Sequence, residues 1–112
     1  MTTSQESTLQ PLTLDMVREA RERIRHAVNT TPVLTSTTLN ELHGAQLYFK
    51  CENFQKVGAF KARGAANAVF SLSDAEAARG VVTHSSGNHA AALARAAKLR
   101  GIAAHGVKPS NA

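Results

Sequence analysis

The stretch Val81-Val82-Thr83-His84-Ser85-Ser86-Gly87-Asn88-His89-Ala90-Ala91-Ala92-Leu93, running on through Lys98-Leu99-Arg100-Gly101-Ile102 to Val107, decides the fold. Its β-branched opening, Val81 to Thr83, reads as a short strand. Gly87-Asn88-His89 opens a run of strong helix formers, Ala90 to Leu99, and Gly101 supplies the stop. Ile102 to Val107 reads as the next strand. Strand, tight loop, helix and strand make one βαβ unit. Such a unit predicts an α/β fold with a parallel sheet and right-handed crossovers.

Upstream of this unit, Ser73 with Glu76 three residues later is a capping-box pattern, predicting a short helix that stops at Gly80. Ala59 to Leu72 has helical Ala/Val/Phe periodicity. Asn53 to Gly58 reads as a loop and Gln46 to Cys51 as a strand. Leu39 to Leu42 reads as a helical turn closed by Gly44, and Val33 to Thr38 as extended chain. Leu14, Val17, Ala20, Ile24, Ala27 and Val28 recur at helical spacing. With Thr13 as N-cap and Asp15 in the first turn, they predict a helix over 14–28, ended by Asn29-Thr30-Thr31-Pro32. Residues 1–11 are Ser/Thr/Gln-rich and read as a disordered arm. Downstream, Lys108-Pro109-Ser110-Asn111-Ala112 follows a strand directly, where a parallel sheet normally continues into another helix. The ending reads as a cut.

The 112 residues suit one modest domain or part of a larger one. Aromatics are only 4%, and alanines supply much of the apolar count, so close helix packing is expected rather than bulky core filling. The net charge of +5 raises the question of nucleic acid. However, Arg18, Arg21, Arg23 and Arg25 alternate with Glu19 and Glu22, and Glu19 stands four residues before Arg23, a favourable helical pair. That pattern describes a solvated helix face. The lack of Trp, the single Tyr and the absence of an RNA-binding signature agree, so no nucleic-acid partner is expected. The lone Cys51 has no internal disulfide partner and reads as a buried structural thiol. No signal-peptide pattern and no membrane-length apolar run occur, so the expected setting is cytoplasmic, without a membrane partner.

Two segments carry candidate chemistry. In Asn53-Phe54-Gln55-Lys56-Val57-Gly58-Ala59-Phe60-Lys61-Ala62-Arg63-Gly64-Ala65, Lys61 stands at a helix start after a Gly-containing loop. The positive end of a helix favours a neutral amine, the form that condenses with an aldehyde. By spacing alone, a lysine in a first helical turn is an ordinary solvated charge. In Ser85-Ser86-Gly87-Asn88-His89, the backbone N–H groups would leave a helix N-terminus at the tip of a parallel strand, a ready carboxylate or phosphate site. A plain structural cap weighs equally there. His84 and His89 straddle a strand–helix junction and share no helix face, so no metal site is expected. A Ser/His nucleophile pair drawn from Ser85, Ser86 and His89 lacks both the elbow pattern and an acid partner.

Phe54-Gln55-Lys56 with Gly58-Ala59-Phe60-Lys61-Ala62-Arg63-Gly64-Ala65, followed by Ser85-Ser86-Gly87-Asn88-His89, resembles the fold-type II pyridoxal-phosphate enzymes. The run Tyr48 to Ala65 most resembles the serine racemase and threonine (serine) dehydratase group. The resemblance extends from about Leu12 to the last residue. It implies that 12–72 begin the large cofactor domain and that 73–112 begin the small domain with its first βαβ unit. It implies that Lys61 holds pyridoxal 5'-phosphate covalently and serves as the base at the substrate α-carbon. Phe60 would pack beside the cofactor ring and Asn88 would bond its ring oxygen. Ser85, Ser86, Gly87, Asn88 and His89 would bind the substrate carboxylate, with Ser86 moving a proton on the opposite face. The reaction implied is α,β-elimination from a small hydroxy amino acid, giving a 2-oxo acid and ammonia, with racemisation as a companion activity. The working assembly implied is a homo-oligomer. The family's glycine-rich phosphate loop, its pyridine-nitrogen partner and any divalent-metal site would lie beyond Ala112. Weak cofactor retention by the chain alone is therefore expected. The alternative is a non-catalytic remnant or interaction module that binds at most a small anion.

Overall fold

The computed structural model describes residues 9–111. The arm read over 1–11 falls mostly outside them. Helix α1 spans Leu14–Ile24, and its Thr13 cap accepts from Met16 N at 3.2 Å. It ends before the expected Val28. The reason is tertiary: Arg95 donates to the carbonyl of Ala27 at 2.6 Å, and Gln55 engages both backbone groups of Asn29. The chain there satisfies its polar groups with side chains rather than with another helical turn. The expected Glu19–Arg23 pair is replaced. Arg23 reaches across to Asn67 Oδ1 at 2.7 Å, while the surface pairs are Asp15–Arg18 and Glu22–Arg25.

Strand β1 (Val33–Leu34) pairs antiparallel with β2 (Phe49–Lys50), placing Val33 opposite Lys50 and Leu34 opposite Phe49. Between them lies α2 (Thr37–His43), longer than the single turn expected because Ser36 caps it, accepting from Leu39 N. Gly44 closes α2 in the left-handed region at φ 58°. The strand expected over 46–51 shrinks to two residues, since Leu47 N donates instead to Asn40 Oδ1 at 2.8 Å. Cys51 is consequently only half-buried, not the buried thiol expected, and its Sγ contacts Phe49 O at 3.4 Å. The expected loop is two 3-10 turns, Glu52–Phe54 and Lys56–Gly58.

Helix α3 (Lys61–Ser71) follows, then α4 (Asp74–Ala78) with both hydrogen bonds of the expected capping box in place. The βαβ unit is present: β3 (Val81–His84), α5 (Asn88–Arg100) and β4 (Ala104–Val107). The strands run parallel in register from Val81 opposite Ala104 to His84 opposite Val107. Gly101 ends α5 at φ 76°, as its position predicts.

Helix α3 is the central element. Ala65 and Val69 pack with Ala92, Leu93 and Ala96 of α5, backed by Val81 and Ile102. Ala66 packs instead with Ile24 and Ala27 at the end of α1. Alanine at these contacts lets the helix backbones approach closely, which is what the alanine-rich composition predicts. Val82 and Val107 are 69% and 54% exposed, so one face of this pair of strands is bare where a parallel sheet is normally covered on both. Among the described residues, no helix is long and apolar enough to cross a membrane.

Candidate functional site

A helix start leaves up to four backbone N–H groups without intrahelical partners. In α1, α2 and α4 a side-chain oxygen takes one of them, from Thr13, Ser36 and Ser73 respectively. Helices α3 and α5 have no side-chain cap. Their first residues are Lys61 and Asn88. The two helices that begin at the two candidate motifs are therefore the two without a side-chain cap, although in α3 Ala62 N and Arg63 N donate to the carbonyls of Ala59 and Phe60. This weighs against the purely structural reading of Ser85 to Asn88 as a cap.

Packing brings these starts to one end. Arg100, at the last turn of α5, donates to the carbonyl of Val69 and to Asp74 Oδ1, so the C-terminal ends of α3 and α5 lie together. The other end of the pair, where α5 also approaches the Lys56–Gly58 turn, carries Lys61 and Asn88.

Lys61 is exposed, and its Nζ lies 5.1 Å from the centroid of the Phe60 ring, which is itself 60% exposed. The turn ahead of it is conformationally unusual. Val57, a β-branched residue, sits at φ 57°, followed by Gly58 at φ 70°. Such a valine is an outlier that persists only where its surroundings enforce it. Gln55 supplies that enforcement. It is 4% exposed, its Oε1 accepts from Asn29 N and Lys56 N, and its Nε2 donates to Asn29 O.

In the second motif, Ser85 is anchored: its N donates to Val107 O at 3.1 Å, and its hydroxyl oxygen accepts from Gly87 N at 3.3 Å. Ser86, Gly87, Asn88 and His89 are exposed. His89 lines a small, mostly apolar cavity with Ala65, Val69, Val82 and Leu93. A larger cavity, about 590 Å³, opens between α1 and Arg63 and includes neither Lys61 nor the Ser85–His89 loop. Size therefore does not locate the chemistry here. No group of three or more potential metal ligands occurs among the described residues.

Glu52 and Thr31, beside the site, were not singled out by sequence reasoning, and Gln55 entered only as part of the Phe54-Gln55-Lys56 motif. Glu52 holds the Arg63 fork through Nε and Nη2, both at 2.8 Å, and accepts from the Thr31 hydroxyl. The Arg63 guanidinium, with the Thr31 hydroxyl assisting, holds the Glu52 carboxyl well below the ordinary range, at about 2. The reciprocal contact raises Arg63. Gln55 and Thr31 are the buried polar residues of the core. The available signal was Glu52 and Gln55 themselves, two polar side chains in a short connection that serves as cap to neither neighbouring α-helix.

The fold is a parallel α/β unit that carries the Lys61 amine and the Ser85–His89 loop at one end of α3 and α5. Residues 24–112 match the family model described as pyridoxal-phosphate dependent enzyme. A serine racemase of Oryza sativa subsp. indica is 64% identical over 96 residues, covering 86% of this chain and 28% of that protein. A beta-hydroxyaspartate dehydratase of Paracoccus denitrificans is 63% identical over 93 residues, covering 83% of this chain and 30% of that protein. The crystal structure of serine racemase from Dictyostelium discoideum superposes with a TM-score of 0.87 at 54% identity, covering 90% of this chain and 33% of that one. The chain belongs to the pyridoxal-phosphate dependent enzyme family, fold type II. It spans about a third or less of the length of these relatives.

The donor set fits that cofactor. It offers a primary amine, an exposed aromatic ring beside it, a side-chain amide and an open helix start. A substituent built at Gly87 would meet no atom within 4 Å, so nothing in the chain itself fills the space in front of this loop.

Proposed function

We propose that this chain carries the lysine-bearing part of a site for pyridoxal-phosphate-dependent α,β-elimination of ammonia from serine- or threonine-type hydroxy amino acids. The product is a 2-oxo acid, and racemisation of the same substrates is a companion activity. The observation that carries this reading is the pairing of Lys61 and Asn88 as the first residues of two helices without a side-chain cap, at one end of the α3–α5 pair. The names of the relatives, a racemase and a dehydratase of small amino acids, support the same reaction pair.

The cofactor, when bound, supplies the electron sink that makes the substrate α-proton removable. Lys61 would offer the amine that holds it and would serve as the base toward the substrate α-proton. Phe60 presents a ring face beside the amine. Asn88 would hydrogen-bond the cofactor ring oxygen. The N–H groups at the start of α5, with Ser85 and Ser86, accept the substrate carboxylate, which the helix dipole favours there. Ser86 holds or delivers a proton on the face opposite Lys61. Residues 12–72 then belong to the large domain and 73–112 to the start of the small one. A cytoplasmic, homo-oligomeric enzyme is the setting that goes with this reading.

The test is turnover of serine and threonine with added pyridoxal phosphate, followed as 2-oxo acid release. Lys61→Ala is expected to abolish it. Unchanged turnover in that variant removes Lys61 from the role.

A further inference from the structure

Anchoring one side chain in the first turn of a helix fixes where its neighbours point. Lys61 and Arg63 are two residues apart on α3, about 200° around the helix axis. The buried face of α3 is Ala62, Ala65, Ala66 and Val69, and Lys61 and Arg63 lie on opposite flanks of it, so holding Arg63 on one flank holds Lys61 on the other. A slip of one residue would swing the amine by about 100°. Helix α3 has no side-chain cap, and the bonds at its start, from Ala62 N and Arg63 N to the carbonyls of Ala59 and Phe60, are local ones that leave the rotation of the turn to tertiary contacts.

The contacts of Arg63 meet that need. Its Nε and Nη2 form a two-pronged pair with both carboxylate oxygens of Glu52, each at 2.8 Å. This geometry fixes angle as well as distance. The same Nη2 lies 3.4 Å from the Thr31 hydroxyl, which itself donates to Glu52 Oε1. Lys50 Nζ closes the far side on Thr31 O at 2.8 Å. Thr31 is 4% exposed, and the Arg63 and Glu52 side chains are 35% and 17% exposed. The network therefore joins three segments: the turn after α1, the connection after β2 and the first turn of α3. It brackets the strained Val57–Gly58 turn together with the Gln55 clamp.

We propose that the Glu52–Arg63 pair, backed by Thr31, is a positioning device for Lys61: it sets the rotation of the first turn of α3 and so the direction of the lysine amine. Neither residue touches the reacting atoms. Both act through the helix that carries Lys61. This inference rests on the assignment of Lys61 above and extends it to residues outside the two motifs.

The experiment reads the direction of the amine without using turnover. The full chain is mixed with pyridoxal 5'-phosphate, reduced with borohydride and mapped by peptide mass. The chain offers five lysines to this reagent: Lys50, Lys56, Lys61, Lys98 and Lys108. Label is expected to concentrate on Lys61 in the native chain. In Glu52→Gln, checked as folded by circular dichroism, the Lys61 share is expected to fall by about tenfold, with Glu52→Asp restoring part of it. A merely structural pair would lower the melting temperature and leave the distribution of label unchanged in the folded variant, which overturns the proposal. If Glu52→Gln does not fold, Glu52→Leu/Arg63→Met removes both charges together and leaves neither buried alone. Preference for Lys61 retained in that variant overturns the proposal, and preference lost supports it. A native chain without preference for Lys61 overturns the lysine assignment itself, an outcome distinct from native preference that survives in the variants.

Discussion

The side-chain amide of Gln55 closes two hydrogen bonds on the backbone of Asn29, accepting from its N at 2.8 Å and donating to its O at 2.9 Å. A third bond, from Lys56 N at 2.9 Å, ties the same oxygen to the turn that precedes Lys61. One buried glutamine thus joins the end of α1 to the approach to α3. Gln55→Ala leaves three backbone groups without their partner, each worth about 1–3 kcal/mol when buried. Water reaches half-buried Asn29, so the expected loss is about 3 kcal/mol in denaturant unfolding. Exposed Gln46→Ala should stay within about 0.5 kcal/mol. Equal effects of the two substitutions would remove the clamp from the account.

The depressed Glu52 carboxyl makes stability depend on acid in a definite direction. Its folded value is about 2 and its ordinary value 4.5, so the unfolded chain binds this proton first as pH falls. The contribution is whole above about pH 4.5 and drains away as pH drops toward about 2. Arg63, raised from an already high value, stays charged throughout that window. The melting temperature should therefore fall with acid between those limits, and Glu52→Gln should show a shallower fall from a lower start. Parallel pH profiles for the two proteins would contradict the assignment.

What the sequence made legible was local. Thr13, the Ser73–Glu76 box, Gly44 and Gly101 act within a few residues of themselves, and each stands where its chemistry predicts. The βαβ unit was readable because Gly87 and Gly101 bracket an alanine-rich run between two strands. The early end of α1 was not readable, because Arg95 and Gln55 reach Ala27 and Asn29 from 68 and 26 residues away. Arg63 was visible within its motif but without a partner. Glu52 lies 11 residues earlier, at no helical or strand spacing that would pair them. The two motifs were legible as motifs. Their meeting at one end of α3 and α5 depends on the packing of Ala65, Val69, Ala92 and Ala96, which no local pattern encodes.

Gly80 links α4 to β3 at φ 74°, and a Cβ there would lie 2.8 Å from Ala103 O. That carbonyl accepts from Val81 N at 2.9 Å, next to the start of the parallel ladder. Gly80→Ala meets both the left-handed backbone cost of about 1–2 kcal/mol and this clash. Gly44, at φ 58°, has open space around it and meets only the first. Thermal unfolding should rank Gly80→Ala clearly below Gly44→Ala. The reverse order would mean that the 80–81 turn relaxes freely and does not hold the register of β3 on β4.

Ser86 separates the two reactions proposed for the site. Racemisation needs a proton delivered to the face opposite Lys61, whereas elimination needs proton removal on one face only. Ser86 is exposed at the open start of α5, and among the described residues its hydroxyl makes no hydrogen bond that would occupy it. Ser86→Ala should therefore lower racemisation by about 10²–10⁴-fold, the usual worth of a positioned acid–base group. Elimination, followed as 2-oxo acid from the same substrate, should fall much less. Because Ser86 also sits in the carboxylate loop, part of any loss common to both reactions should appear in KM. Equal loss of kcat in both reactions would show that Ser86 has no role specific to the opposite-face proton, which would then have to come from another group near the start of α5.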